Sequence, residues 1–282
     1  MVNINGDLIS LKNSKISYLN RGFQYGDAVF ETIRVINSKI IFWESHYFRL
    51  MSSMRLLRMQ IPMEFSPEFL EEKILELIKE NKLDQKPAKV KINISRKTGG
   101  LYKPDDRGID YILSCKKIDN PFFVLEDKFC EVELFKDHFV NSGLLSTLKT
   151  NNKIVNILAS IYADENGYDN CILLNEKKSV IEFTNANIYL VKGNIIKTPP
   201  LSDGCLKGVV REKLIEIINK SEEFELKEES ISPFELQKAD EMFMTNAIKG
   251  IQTVSKYRKK EYNSDVAKGF IGKLNAQARL AS

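Results

Sequence analysis

In AKVKINISR (residues 88–96) the apolar Val90, Ile92 and Ile94 recur at every second position. A period of two is the signature of a strand, whose side chains point to opposite faces in turn. GIDYILSC, CEVELF, CILLN, SVIEF, ANIYLVKG and EMFMTNA carry the same strand signals, and ISYLNRGF reads as a strand leading into AVFETIRVI. An NSK turn then precedes KIIFW, and Gly193-Asn194 marks a hairpin. Between the strands the period changes. His46, Phe48, Leu50, Met51, Met54 and Leu57 form a helical stripe, and Ser66-Pro67 caps a second helix with Leu70, Ile74, Leu77 and Ile78 on its apolar face. KTNNKIVNILASIYADENG reads as a helix ending at Gly167, and VVREKLIEIINK, SPFELQKA and VAKGFIGKLNAQARL as three more. Because strands arrive in runs, the fold class is α+β (mixed α/β) in two layers rather than one doubly wound sheet. The turn-rich IDNPFF places a linker at 118–124, between an N-terminal α/β domain (1–117) and a C-terminal one (125–282).

Composition narrows the function. With 43% hydrophobic and 28% charged residues in 282, the chain is of ordinary globular type. A net charge of +4 with interleaved signs does not suit nucleic acid. Two histidines, His46 and His138, are too few for a histidine-rich zinc site, and no metal is expected. Cys115, Cys130, Cys171 and Cys205 lack CxxC spacing and read as reduced, buried thiols. No run of about 18 apolar residues suggests a membrane span. MVNINGDLIS has no secretory pattern, so the expected location is the cytoplasm.

Three features could carry chemistry. In LLSTLKTNNKIVNILA (144–159) Lys149 stands where an apolar strand runs out and a helix begins. Taken alone it reads first as a solvated lysine. Held partly out of water, it would favour the neutral amine that attacks an aldehyde. Glu182 interrupts the apolar run SVIEFTNANIYL; it either faces water from an edge strand or needs a cationic partner. KGVVRE opens a helix with a glycine, TNAIKG makes a small-residue turn, and HYFRL puts Arg49 on a helix. Each suits an anion weakly by itself.

Taken in order, these pieces resemble the class IV aminotransferases, the fold-type IV pyridoxal-phosphate enzymes. The resemblance runs through NRGFQYGDAVFETIRV (20–35), HYFRL (46–50), LKTNNKIVNILA (148–159), IEFTNANIYLVKG (181–193), TPPLSDGCLKGVVRE (198–212) and ADEMFMTNAIKGIQTV (239–254). It implies a two-domain architecture like that of D-amino-acid aminotransferase, with most of the cofactor site in the second domain, and a homodimer. The implied cofactor is pyridoxal 5'-phosphate. Lys149 matches the lysine that carries it covalently and moves the Cα proton, and Glu182, 33 positions on, the acid that pairs with its ring nitrogen. Arg49, Asn187, Val209, Val210, Asn246 and Ala247 match further cofactor-binding positions, the last four as two phosphate-binding turns. Where several relatives have a hydroxyl, this chain has Val210 and Ala247.

Within the family the motifs lean toward aminodeoxychorismate lyase. Thr32 falls where that enzyme has a threonine beside the cofactor, a second catalytic residue. Branched-chain aminotransferases usually read FEG there and carry a tyrosine where this chain has Ile154; D-amino-acid aminotransferases carry Arg-x-His where Leu101 and Lys103 stand. The implied reaction is elimination of pyruvate from 4-amino-4-deoxychorismate to give 4-aminobenzoate. Phe30, Tyr25, Lys97 and Lys103 are the candidate substrate residues. An amino-acid aminotransferase (branched-chain or D-specific) is the alternative, and a binding protein without cofactor a remote third.

Overall fold

In the computed structural model, which describes residues 1–126 and 128–280, the chain divides into two compact units. Asp127, Ala281 and Ser282, which fall in the stretch assigned to the second domain, lie outside the described residues. One unit comprises residues 1–121, Lys149–Asn152 and the chain from Ala278; the other comprises Phe122–Leu148 and Lys153–Gln277. Among the described residues no helix is long and apolar enough to cross a membrane.

The first unit contains β1 (Val2–Ile4), β2 (Asp7–Ile9), α1 (Arg21–Tyr25), β3 (Ala28–Ile36), β4 (Lys39–Ile40), α2 (Trp43–Leu56), α3 (Pro67–Glu80), β5 (Ala88–Arg96) and β6 (Ile109–Lys117). Its strands form one antiparallel sheet in the order β2-β1-β6-β5-β3-β4. Alternation decides which face is buried. Val29, Ile33 and Val35 of β3 and Val90, Ile92 and Ile94 of β5 join Leu50 and Met54 of α2 and Leu70, Ile74 and Leu77 of α3 in one core. Each such aliphatic side chain, fully buried, contributes roughly 1.5–3 kcal/mol. The predicted cap of α3 is present: the Ser66 hydroxyl accepts from the Phe69 N–H at 3.2 Å.

The second unit continues with β7 (Glu131–Leu134), α4 (Ile154–Glu165), β8 (Asn170–Leu174), β9 (Val180–Phe183), β10 (Asn187–Lys192), β11 (Ile195–Thr198), α5 (Val209–Ile218), β12 (Glu225–Glu228), α6 (Pro233–Leu236), β13 (Glu241–Asn246), β14 (Gly250–Thr253), β15 (Lys256–Tyr257), β16 (Lys260–Glu261) and α7 (Asp265–Leu280) as far as Gln277. Its sheet mixes parallel pairs (β7–β8, β7–β15, β11–β12) with antiparallel ones. β10 is its hub, pairing with β9, β11 and β13. Cys171 and Cys205 are buried free thiols, and burial pushes the latter up to about 12.

The structure corrects two local expectations. ISYLNRGF is not a strand: Asn20 Oδ1 accepts from the Phe23 N–H and starts the single turn of α1, and Gly26 at φ 65° ends it. Its apolar residues Ile16, Tyr18, Leu19 and Phe23 are exposed, so propensity was outvoted by capping. Nor does a strand precede Lys149 or a helix start there. Leu145–Thr147 is one 3₁₀ turn, residues 149–151 run extended along β3, and α4 begins only at Ile154. The short strands β12 and β14–β16 carry too little pattern to be read from sequence.

Ile92 is fully buried in the middle of β5. Ile92→Ala should lower the unfolding free energy by roughly 2–5 kcal/mol in urea melts, whereas Lys86→Ala on the exposed surface should change it by less than about 0.5 kcal/mol.

Candidate active site

Lys149 reaches β3 through its backbone. The Phe30 N–H donates to the Lys149 carbonyl at 2.8 Å, and the Asn151 N–H donates to the Ala28 carbonyl at 3.0 Å. Val29 and Thr150 form the bridge between these two bonds. This short pairing leaves Lys149 half-buried, with Nζ 4.5 Å from the centroid of the Phe30 ring. A second ammonium shares that ring: Lys91 Nζ lies 4.7 Å from the same centroid. Lys91 is paired with Thr32 across β3 and β5, so Phe30, Thr32 and Lys91 stand on one face of the sheet.

Arg49 is held from the other face of β3. Glu31, pointing opposite to Phe30 and Thr32, accepts from Arg49 Nε at 2.7 Å and from Nη2 at 2.6 Å. His46 Nδ1 lies 2.7 Å from the same carboxylate. All three side chains are nearly inaccessible to solvent. Burial pushes the Glu31 carboxyl up, but the charges of Arg49 and His46 outweigh it and hold it down at about 2. Burial keeps His46 below its ordinary value despite the adjacent carboxylate. Sequence reasoning missed Glu31, His46 and Lys91. A glutamate inside the apolar run AVFETIRVI was the available signal for the first; nothing separates Lys91 from Lys89.

In the second unit Glu182 is not on an edge. β9 lies between β8 and β10, with Glu182 opposite Leu173 and Asn187 and only 7% exposed. Its Oε2 accepts from the Leu206 N–H at 2.9 Å, while Asn187 Nδ2 donates to the Leu206 carbonyl at 2.8 Å. The two side chains thus clamp one residue's backbone from both ends, just before α5. Gly208 is required there, because a Cβ would come within 2.0 Å of Asn187 Oδ1. Gly208 has no side chain to cap α5, so the N–H groups of Val209 and Val210 open the helix without an intrahelical acceptor, at its positive end. Asn246 folds its own turn: its Oδ1 accepts from Ile248 N–H at 3.0 Å and Lys249 N–H at 2.8 Å, with Ala247 between.

The remaining candidates lie on the surface of the first unit. Tyr25 packs against Tyr102 with ring centroids 5.9 Å apart and the rings tilted by 57°, beneath the Arg21 guanidinium. Lys97 faces Asp106 at 3.9 Å, and Lys103 is exposed on the same loop. The structure brings Phe30, Thr32 and Lys149 together in one unit, and Glu182, Asn187, Val209 and Val210 in the other.

The sequence that carries these residues matches a known family over most of its length. The model of the family described as amino-transferase class IV matches residues 28–257. The chain belongs to that family. Class IV aminotransferases are pyridoxal-phosphate-dependent enzymes, and this one is similar to relatives of differing activity. A Methanocaldococcus jannaschii protein named as a branched-chain-amino-acid aminotransferase is 31% identical over 86% of this chain and 82% of its own. Aminodeoxychorismate lyase of Vibrio harveyi is 29% identical over 90% of this chain and 91% of its own. The crystal structure of branched-chain aminotransferase from the archaeon Thermoproteus uzoniensis shares the fold, with a TM-score of 0.87 at 22% identity, covering 99% of this chain and 96% of that one.

The chemistry of these residues suits that cofactor. The bare first turn of α5 suits a phosphate. A carboxylate buried in an apolar sheet suits a protonated ring nitrogen, and the amine over Phe30 suits an aldehyde.

Glu31 supplies a test of the buried triad. Its carboxyl titrates at about 2 when folded and at an ordinary 4.5 when not. Its stabilising effect is therefore complete above the ordinary value and is lost as pH falls through about 2. Glu31→Gln should cost roughly 3–5 kcal/mol at pH 7 by removing the carboxylate that pairs with the buried Arg49 guanidinium, and the gap to wild type should narrow in melts taken between pH 4.5 and 2. A gap that is constant with pH would contradict the assignment.

Proposed function

We propose that this class IV enzyme is a 4-amino-4-deoxychorismate lyase, releasing pyruvate and 4-aminobenzoate. The observation that carries this reading is the pair Thr32 and Lys91, flanking the Phe30 ring on which the Lys149 ammonium also rests. A hydroxyl and an additional cation at this spot suit a substrate with an ether leaving group and two carboxylates better than they suit a branched aliphatic side chain.

When bound, pyridoxal phosphate supplies an electron sink for the pair left at the substrate Cα. In this proposal Lys149 would hold the cofactor, and its amine would take the substrate's Cα proton. Glu182 would keep the proton on the ring nitrogen, and the Val209 and Val210 amides, the turn at Asn246 and Ala247, and Arg49 would be the groups that take the phosphate. Glu31 and His46 keep the Arg49 guanidinium in one orientation. Asn187 acts through Leu206, fixing the turn that delivers those amides. Thr32 passes a proton toward the departing enolpyruvate as its C–O bond breaks, and Lys91 faces a substrate carboxylate. Tyr25, Lys97 and Lys103 remain candidates for the outer carboxylate. A homodimer is part of the proposal, for which the exposed Ile154, Ile157 and Ile161 on one side of α4 offer an apolar face.

One observation favours the alternative, an aminotransferase acting on branched-chain amino acids: the 31% identity to the Methanocaldococcus jannaschii protein of that name. The two readings divide on assay. The lyase should form 4-aminobenzoate from aminodeoxychorismate. Thr32→Ala should lower kcat by about 10²-fold or more, and Lys91→Ala should raise KM by about tenfold with a smaller change in kcat. If no 4-aminobenzoate forms while L-leucine converts the bound aldehyde to the amine form, the enzyme is an aminotransferase. Lys149→Ala should abolish either activity and the borohydride-fixable absorbance.

A further inference from the structure

Thr245, near the end of β13, is 1% exposed, and its hydroxyl has no hydrogen-bond partner among the described residues. Buried hydroxyls are nearly always satisfied, so an orphan of this kind needs an explanation. Its surroundings supply one. Thr245 is directly opposite Asn187 in the β10–β13 pair, and side chains so paired share a face of the sheet. Phe243, two residues earlier on that face, stacks on Tyr189 at 5.1 Å with the rings 7° from parallel. The Tyr189 hydroxyl in turn donates to the Arg211 carbonyl of α5 at 3.0 Å. This is therefore the face that α5 covers. At the Thr245 level the covering residue is the helix start itself, since the Asn187 carboxamide abuts Gly208. The orphan hydroxyl thus lies beneath the uncapped first turn of α5 and adjoins the Asn246–Ala247 turn in sequence.

Both of those segments offer backbone amides and no hydroxyl: Val209, Val210 and Ala247 have aliphatic side chains. We propose that the Thr245 hydroxyl donates a hydrogen bond to the cofactor's phosphate, making Thr245 a phosphate-binding residue that supplies from the strand what positions 210 and 247 do not. The inference rests on the pyridoxal-phosphate reading above. It accounts for a polar side chain placed where strand packing alone would favour valine, and for its lack of a partner inside the protein.

The test compares two ligands that differ only in the phosphate. The full-length protein, stripped of cofactor, is titrated with pyridoxal 5'-phosphate and with pyridoxal, following absorbance, for wild type, Thr245→Val and Thr245→Ser. Thr245→Val should weaken pyridoxal phosphate about 5–20-fold, the range expected when one hydrogen bond to a charged group is lost. Pyridoxal binding should be unchanged, and Thr245→Ser should stay within about twofold of wild type for both. The melting temperature of ligand-free Thr245→Val should equal or exceed that of wild type, because an unsatisfied group has been removed. Equal affinity of wild type and Thr245→Val for pyridoxal phosphate overturns the proposal, as does equal weakening of both ligands. Wild type that binds neither ligand would instead overturn the cofactor reading.

Discussion

Two backbone hydrogen bonds, Phe30 to Lys149 and Asn151 to Ala28, carry a residue from the middle of the chain onto β3 of a sheet built by residues before 118. Without them Lys149 would be one of many solvated lysines. With them, its position is set by the register of β3, which eight paired positions with β5 make difficult to slip. The strand's two faces then divide the labour. Glu31 binds Arg49 and His46 on the side packed by α2, while Phe30 and Thr32 occupy the side reached by Lys149 and Lys91. A one-residue slip would exchange those faces and lose both arrangements.

The second unit solves a related problem with a different device. A carboxylate in the middle of a sheet is costly to desolvate unless charge-assisted hydrogen bonds replace water. Glu182 receives one from the Leu206 N–H, and Asn187 returns one to the Leu206 carbonyl. The acid is thereby coupled to the loop that starts α5, so the same two side chains that satisfy the sheet also orient the amides of Val209 and Val210. Gly208 is the consequence: the carboxamide occupies the space a side chain would need. Stability and site geometry are joined here at a single peptide.

How much of this was legible in the sequence depends on whether the signal is local. The core was, because the period-two and period-3.6 patterns of Val90, Ile92, Ile94, Leu70, Ile74 and Leu77 are local and strong. So was the cap at Ser66. Residues 16–25 misled because apolar side chains there mimic a strand while Asn20 and Gly26 punctuate a single helical turn. The environment of Lys149 was not legible at all, since its partner strand lies more than a hundred residues away and bridges of this length leave no period. Lys91 and Thr245 show the same limit. Each sits in a strand whose alternation gives the face but not the neighbours, and in both cases the proposed role rests on the neighbour.

The choice between elimination and amino transfer turns on a small region of charge. Amino transfer to an aliphatic substrate needs an apolar pocket beside the ring, and a half-buried ammonium at Lys91 works against that, because stripping its water for a hydrocarbon contact brings no return. A carboxylate in the same place recovers the desolvation cost through a charge-assisted bond. Thr32 adds a hydroxyl one strand away and on the same face. Neither residue alters the machinery that removes a Cα proton, which both reactions share. Under the proposed reading they would alter what sits beside that carbon, which is where a leaving group either finds a proton donor or does not.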